Sequence, residues 1–370
     1  MQGYISQRLE AHGGWLPFDV FMADALYAPG LGYYANERTK LGLMPADGSD
    51  FVTAPELSPV FGRTVGKQVA QAMQLCGVSE VWEFGGGTGA LAEQLIESLL
   101  ADGAPLKRYV IVELSATLKA RQQLRLKRFM GQVDVQWAAQ WPDELHAVVV
   151  GNEVLDAMPA KLLVHTQAGE WLERGVRLDA DEQAWQLAWQ DQPTDLRPDI
   201  EVPPHLDYVV EWHQQAQAWM SSLGEHLKTG AALLLDYGFT HAEYYHPQRH
   251  MGTLMCHYQH TSDPNPLVGV GVKDITVHVD FTQAAVAAQD SGLDVLGYTS
   301  QGRFLLNCGF VELLADATPA VQAQSLKLVH EHEMGELFKV LALVAPANTP
   351  AVNDAGGLMG FTQFDRTHTL

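Results

Sequence analysis

The sequence predicts an α/β protein built on a seven-stranded, Rossmann-like sheet flanked by helices, with an N-terminal helical part and a small antiparallel β insertion. From Glu80 onward, short apolar runs alternate with amphipathic segments, the pattern of parallel strands wrapped by helices. One run ends in a glycine turn, Gly85-Gly-Gly87-Thr-Gly89, that opens a helix. The interval 161–190 breaks this rhythm with three strand-like segments joined by turn residues.

Residues 1–75 read as helices and loops. Pro17 suits the first turn of a helix that carries Phe18, Phe21, Met22, Ala25 and Leu26 on one face, at spacings of three and four. A glycine-rich stretch from Ala28 to Tyr34 and a polar loop through Gly48 lead into 49–58, which reads as mostly irregular. Core strands are expected at 80–84, 109–113, 133–137, 147–151, 231–236, 293–299 and 338–345, with helices at 90–100 and 116–129. Inside the insertion, strands are expected at 162–166, 171–178 and 185–189, with turns at 168–169 and 179–182. A proline-rich connection from Pro193 to Pro204 returns to a helix over 208–225. Residues 240–280 show no clear period, and loops of that length inside a compact domain are usually functional. The tail after Pro346 reads as frayed. The predicted organisation is thus a segment 1–75 packed on the core, a domain 76–345 with insertions at about 161–207 and 240–280, and a tail 346–370.

Composition narrows the function. The 370 residues are 47% hydrophobic, enough for a substantial core, and 23 Lys and Arg against 44 Asp and Glu give a net charge of −21. Such a surface repels a polyanion, so nucleic acid is not expected as a partner. Cys76, Cys256 and Cys308 are widely spaced and lack a Cys-x-x-Cys pattern, which fits a reducing compartment. No apolar run approaches the roughly 18 residues needed to span a bilayer, and residues 1–10 carry no signal or transit pattern. No membrane insertion and a cytoplasmic location are the expectations. The histidines at 246, 250, 257, 260 and 278 follow no metal-ligand spacing, and His330 and His332 fall on a predicted helix as a solvated face, so no metal is expected. Neither a Gly-x-Ser-x-Gly elbow nor a Gly-Lys-Ser/Thr phosphate loop is present.

The glycine turn needs its glycines because the backbone must turn sharply and admit a ligand closely. Read as Gly85-x-Gly87-x-x-Ala90, it also satisfies the dinucleotide fingerprint. Glu83 and Gly89 favour a different cofactor. A carboxylate two residues before the first glycine sits poorly beside a pyrophosphate, whereas S-adenosylmethionine lacks phosphate and carries an ammonium and a sulfonium. Glu113, at the end of the next strand, is placed to accept hydrogen bonds from ribose hydroxyls, a need that NAD and S-adenosylmethionine share. Trp137, ending the third strand, could cover the adenine or simply pack in the core.

The fourth strand runs into Gly151-Asn152-Glu153-Val-Leu-Asp156-Ala-Met-Pro159, setting an amide and two carboxylates at the edge where open α/β sheets bind ligands. A helical turn from Glu153 to Asp156 would bring both acids to one side. Methyl transfer needs alignment and, for a guanidinium acceptor, a group that orients it and accepts a proton. A carboxylate can hold the planar guanidinium at two points. Asp236 and Tyr237, ending the next strand, could line the same channel or serve only as turn acid and packing ring.

These segments resemble the MidA-type family, bacterial and mitochondrial relatives of the complex I assembly factor methyltransferase. The resemblance covers nearly the whole chain and rests on Gly30-Leu-Gly-Tyr-Tyr34, Asp50-Phe-Val-Thr-Ala-Pro-Glu-Leu-Ser-Pro-Val-Phe-Gly62, Glu83 to Gly89, Val112-Glu-Leu-Ser115, Gly151 to Pro159, Leu234-Leu-Asp-Tyr-Gly238, Gly252-Thr-Leu254 and Asp274 to Phe281. It implies a seven-stranded S-adenosylmethionine-dependent methyltransferase and, by the mitochondrial branch, symmetric dimethylation of a protein arginine on a respiratory complex subunit. By position it implies Glu83, Gly85, Gly87 and Gly89 as the cofactor turn, Glu113 on the ribose, and Asn152, Glu153 and Asp156 beside the acceptor. Thr53, in the Thr-Ala-Pro-Glu loop, would close over cofactor or acceptor. The family often has Gly-Pro-Gly where this chain has Gly85-Gly86-Gly87. Two other readings compete: a non-catalytic assembly protein on the same fold, and an NAD-dependent oxidoreductase.

Overall fold

The structure is a computed structural model that describes residues 1–36, 52–179, 185–203 and 206–370. The polar loop through Gly48, Asp50 and Phe51 of the shared segments, most of the 179–182 turn and Pro204 lie outside the described residues. The chain divides into two compact units, residues 52–154, 217–238 and 281–370 in one and 1–51, 155–216 and 239–280 in the other.

The first unit carries the large sheet. Its strands run in the order Asp294–Ser300, Phe338–Val344, Leu227–Phe239, Leu145–Asn152, Glu80–Phe84, Arg108–Val112, Asp134–Ala138. Among the described residues seven strands lie on this path. Every predicted core strand is present with its ends shifted by only a few residues. Leu145–Asn152 forms because Ala147-Val-Val-Val is β-branched and apolar on both faces, as a central parallel strand must be. The four pairings from Leu227–Phe239 to Asp134–Ala138 are parallel. Phe338–Val344 instead runs antiparallel to both its neighbours, making the sheet mixed. A strand buried along its whole length reads the same in either direction, so pattern alone does not set its sense.

Helices Pro59–Cys76 and Ala90–Ala101 pack together over this sheet, with Phe61, Val65, Val69, Leu91, Leu95 and Leu99 in its core. The longer helix has complete end signals: Ser58 Oγ accepts from the Val60 amide at 3.1 Å, Pro59 follows it, and Gly77 closes the end at φ 67°. The tail is not frayed. Val352, Leu358 and Phe361 are buried in the same core, and the amides of Met359 and Gly360 donate to Gln71 and Gln68 at 2.8 Å each. His330 and His332 lie in a turn between two short helical segments, not on the helix expected there.

The second unit is built on an antiparallel sheet. Lys161–His165 pairs with Trp171–Leu178 and with Tyr208–Trp212; Leu16–Pro17 and Leu187–Pro193 flank Trp171–Leu178. The insertion is therefore larger than three strands. The helix expected over 208–225 is instead the strand Tyr208–Trp212 followed by the helix Gln214–His226. Tyr-Val-Val-Glu-Trp is β-branched and aromatic, and its pairing with Lys161–His165 is a long-range contact that the local pattern does not reveal. Helix Phe18–Tyr27 begins after Pro17 and buries Phe18, Phe21, Met22, Ala25 and Leu26, the predicted face.

Residues 240–280 hold the helix His241–Tyr244 and a small sheet of Met255–Tyr258, Thr261–Asp263 and Asp274–Thr276. One buried carboxylate fastens this segment. Glu211 accepts from the Thr253 and Leu254 amides at 2.7 Å each, from Thr253 Oγ1 at 2.6 Å and from the Tyr244 hydroxyl. A buried acid with so many donors needs no ion partner.

No helix among the described residues is long and apolar enough to cross a membrane. All three cysteines are buried and free. Burial pushes the thiols up, to about 11 at Cys76, about 12 at Cys256 and higher at Cys308. Thiolate is the reactive form, so the folded protein at pH 8 is expected to resist iodoacetamide, and denatured protein to take three labels by intact-mass spectrometry. Labelling of a native thiol within minutes would contradict this packing.

Candidate active site at the carboxyl edge of the sheet

Strands Glu80–Phe84 and Leu145–Asn152 are neighbours, with Phe84 level with Gly151. The chain leaves the first toward Arg108–Val112 and the second toward Leu227–Phe239, in opposite directions along the sheet. Their ends therefore flank a topological switch point, where ligands bind in open α/β sheets. The glycine turn and Asn152-Glu153 both emerge there.

Gly85, Gly87 and Gly89 take φ of 67°, 51° and 85°, which L side chains rarely adopt. Gly86 is required for a different reason: a Cβ there would stand 2.7 Å from Ile111 Cγ2 and 3.3 Å from Gln122 Nε2. The tight approach of Ile111 and Gln122 accounts for a glycine at this position.

Beneath the turn lies a network that no local motif announces. Gln122, fully buried on helix Ala116–Leu126, donates from Nε2 to Gly87 O at 2.9 Å and to Glu113 Oε2 at 3.0 Å. Its Oε1 accepts from Trp137 Nε1 at 2.8 Å. The Ser115 amide donates to Glu113 Oε1 at 2.8 Å, and Ser115 Oγ caps the helix. Four elements thus meet at one amide: the turn, the second strand's terminal acid, the helix and Trp137. Its only sequence signal was a glutamine one helical turn from Leu118 and Leu126 on an otherwise polar helix, too weak to single out.

Glu83 is buried under the same turn and accepts from the Tyr109 hydroxyl at 2.7 Å. Burial raises its carboxyl to about 7, the Tyr109 bond offsets part of that, and the nearby Glu113 adds to it. Burial also raises Glu113, against the pull of its bonds to Ser115 and Gln122. Two acids near one turn, both held back from ionising, are poised for a cationic ligand.

The Thr-Ala-Pro-Glu segment forms a short helix, Ala54–Leu57, with Thr53 O accepting from the Glu56 and Leu57 amides at 3.1 and 2.9 Å. Thr53 makes no side-chain cap bond. Glu56 reaches the glycine turn: its Oε1 accepts from the Thr88 hydroxyl and from Arg125 Nη1 at 3.2 Å. Gln94 Nε2 donates to Pro55 O at 2.7 Å. The segment is thereby latched to the turn.

At the fourth strand's end, Asn152 Nδ2 donates to Glu153 Oε1 at 2.9 Å, while the buried Asn152 Oδ1 has no partner. Glu153 sits at φ 55°, with its amide donating to Leu235 O at 2.9 Å. The next amide, of Val154, donates to the buried Asp236 at 3.1 Å. Asp236 thus shapes the strand end, and Tyr237 packs its ring on Phe338 at 5.3 Å. The helical turn expected from Glu153 to Asp156 does not form; bends and a turn replace it, because Glu153 is left-handed and Val154 is tied to Asp236. Asp156 belongs to the second unit, where it is buried and its carbonyl accepts from Val277 at 3.1 Å.

A family model described as "Putative S-adenosyl-L-methionine-dependent methyltransferase" matches residues 64–299. A crystal structure of a Burkholderia thailandensis protein bound to S-adenosyl-homocysteine is 42% identical, with TM-score 0.92, covering 100% of this chain and 96% of that one. A native structure from the same organism is 41% identical, with TM-score 0.87 and the same coverage. The human mitochondrial protein arginine methyltransferase NDUFAF7 is 28% identical over 373 residues, 88% of this chain and 79% of that protein.

Proposed function

We propose, from the premise that this chain belongs to the S-adenosyl-L-methionine-dependent methyltransferase family, that it methylates an arginine guanidinium of a protein substrate, forming symmetric dimethylarginine. The residues present fit the cofactor. A glycine turn at the switch point lets a ligand approach the backbone closely, and two hydrogen-bonded carboxylates, Glu83 and Glu113, suit a ligand with cationic groups and a ribose but no phosphate. The observation that carries the reading is Glu113 at the end of the second strand, each of its oxygens fixed by a protein donor.

S-adenosylmethionine supplies an electrophilic methyl group when bound. Gly85, Gly87 and Gly89 shape the turn that admits it, Glu83 balances its positive charge, and Glu113 holds the ribose. Trp137 covers the adenine side, and the Glu56 latch keeps the Thr53 segment against the turn. Glu153, oriented by Asn152, holds the acceptor guanidinium and takes its proton on a carboxylate oxygen. Asn152 borders the acceptor. The arginine specificity draws on the likeness to the mitochondrial arginine methyltransferases.

Isothermal titration with S-adenosylhomocysteine tests the cofactor, with NADH as the competing ligand. Saturable one-site binding of the first and none of the second is expected; a folded sample that binds NADH instead would overturn the reading. Mass-spectrometric comparison of arginine methylation in cells with and without the gene tests the acceptor, and an unchanged pattern of symmetric dimethylarginine would remove arginine from it.

A further inference from the structure

We infer that Gln122 is the positioning residue that makes Glu113 selective for a ribose with both hydroxyls. This rests on the cofactor reading above and adds to it a residue that never meets the reacting atoms. A carboxylate offers roughly four acceptor sites, two on each oxygen. Ser115 takes one on Oε1 and Gln122 one on Oε2, with the Leu114 amide a further donor, so the plane of the carboxylate is set from both sides and room to accept from the ribose remains. Gln122 itself has nothing to spare: both hydrogens of its amide nitrogen are committed, to Glu113 and to Gly87 O, and Trp137 holds its oxygen. That third bond also fixes which way the amide faces, so that nitrogen and not oxygen meets Glu113.

Packing makes the arrangement stiff. Gln122 is buried completely, and a Cβ on Gly89 would come within 3.3 Å of its Cγ. One glutamine therefore sets the spacing between the turn that receives one part of the cofactor and the acid that receives its ribose. Errors of an ångström in such a spacing cost binding and rate.

The test compares S-adenosylhomocysteine with its 2′,3′-dideoxyribose analogue by calorimetry, in the wild type and in Gln122→Met, which keeps length and loses every polar bond. The wild type is expected to prefer the ribose ligand at least about tenfold, since each hydrogen bond to a charged group contributes of that order. In Gln122→Met that preference is expected to fall close to parity, the ribose ligand losing about tenfold more affinity than the analogue, which also weakens because the bond to Gly87 O is gone. Retained preference, or equal loss of both ligands, overturns the inference, because a merely structural glutamine would weaken both alike. Gln122→Glu serves if the methionine variant fails to fold: it keeps the shape but opposes carboxylate to carboxylate, and the same loss of ribose preference is expected. A wild type that binds both ligands equally sinks the inference while leaving the cofactor assignment intact; a wild type that binds neither sinks both.

Discussion

Glu83→Gln is expected to stabilise the ligand-free protein at pH 8 while weakening its hold on the cofactor. Glu83 titrates near 7 in the fold, against 4.5 ordinarily, because it is buried. Between those values the folded state binds more protons than the unfolded one, so its stability falls as pH rises from about 4.5 through 7. Above pH 7 the full cost of the buried charge is present, roughly 3 kcal/mol for that displacement. Glutamine removes the charge and still accepts from the Tyr109 hydroxyl. The melting temperature should rise by roughly 4 °C at pH 8 and hardly at all at pH 5. Over the same range, wild-type affinity for S-adenosylhomocysteine should climb about tenfold from pH 6 to pH 8 as Glu83 ionises, and the variant should lose that dependence. A variant no more stable than wild type at pH 8 would show that Glu83 carries no charge cost.

Glu153→Gln is expected to lower methyl transfer by roughly 100-fold or more, the scale of a lost general base, with S-adenosylhomocysteine affinity within about threefold of wild type. The carboxylate is held by Asn152 at the strand end, and its backbone is left-handed. Backbone strain of that kind costs about 1 kcal/mol, so Glu153→Gly should raise stability by a comparable amount while also losing transfer. Gain of stability with loss of activity would mark the strain as serving the site. Unchanged turnover in Glu153→Gln would leave Glu153 a backbone device and favour a non-catalytic binding role for the fold.

The core strands and the glycine turn were legible because their signals are local. Buried β-branched runs such as Val148 to Val150 announce themselves, and a turn that needs positive φ needs glycine. The strand Tyr208–Trp212 was misread as helix because its identity depends on pairing with Lys161–His165, more than forty positions earlier. The 240–280 segment looked structureless for a related reason: Glu211, far along the chain, supplies the acceptors that hold Thr253 and Leu254.

Within the candidate site, the acids Glu83, Glu113 and Glu153 could be placed at strand ends from sequence, because strand ends in an α/β sheet are known ligand positions. Their protonation could not be read that way, since that depends on burial and on Tyr109, Ser115 and Gln122 arriving from other elements. The sequence by itself determined the core strands of the large sheet, the place of the turn and the excess of negative charge, all properties of composition and short-range pattern. Only the tertiary structure decided the direction of Phe338–Val344, the latch from Glu56 to Thr88, the left-handed Glu153 and the burial of Gln122. Each of these is a long-range contact or a conformation that such a contact imposes, and neither leaves a period in the chain.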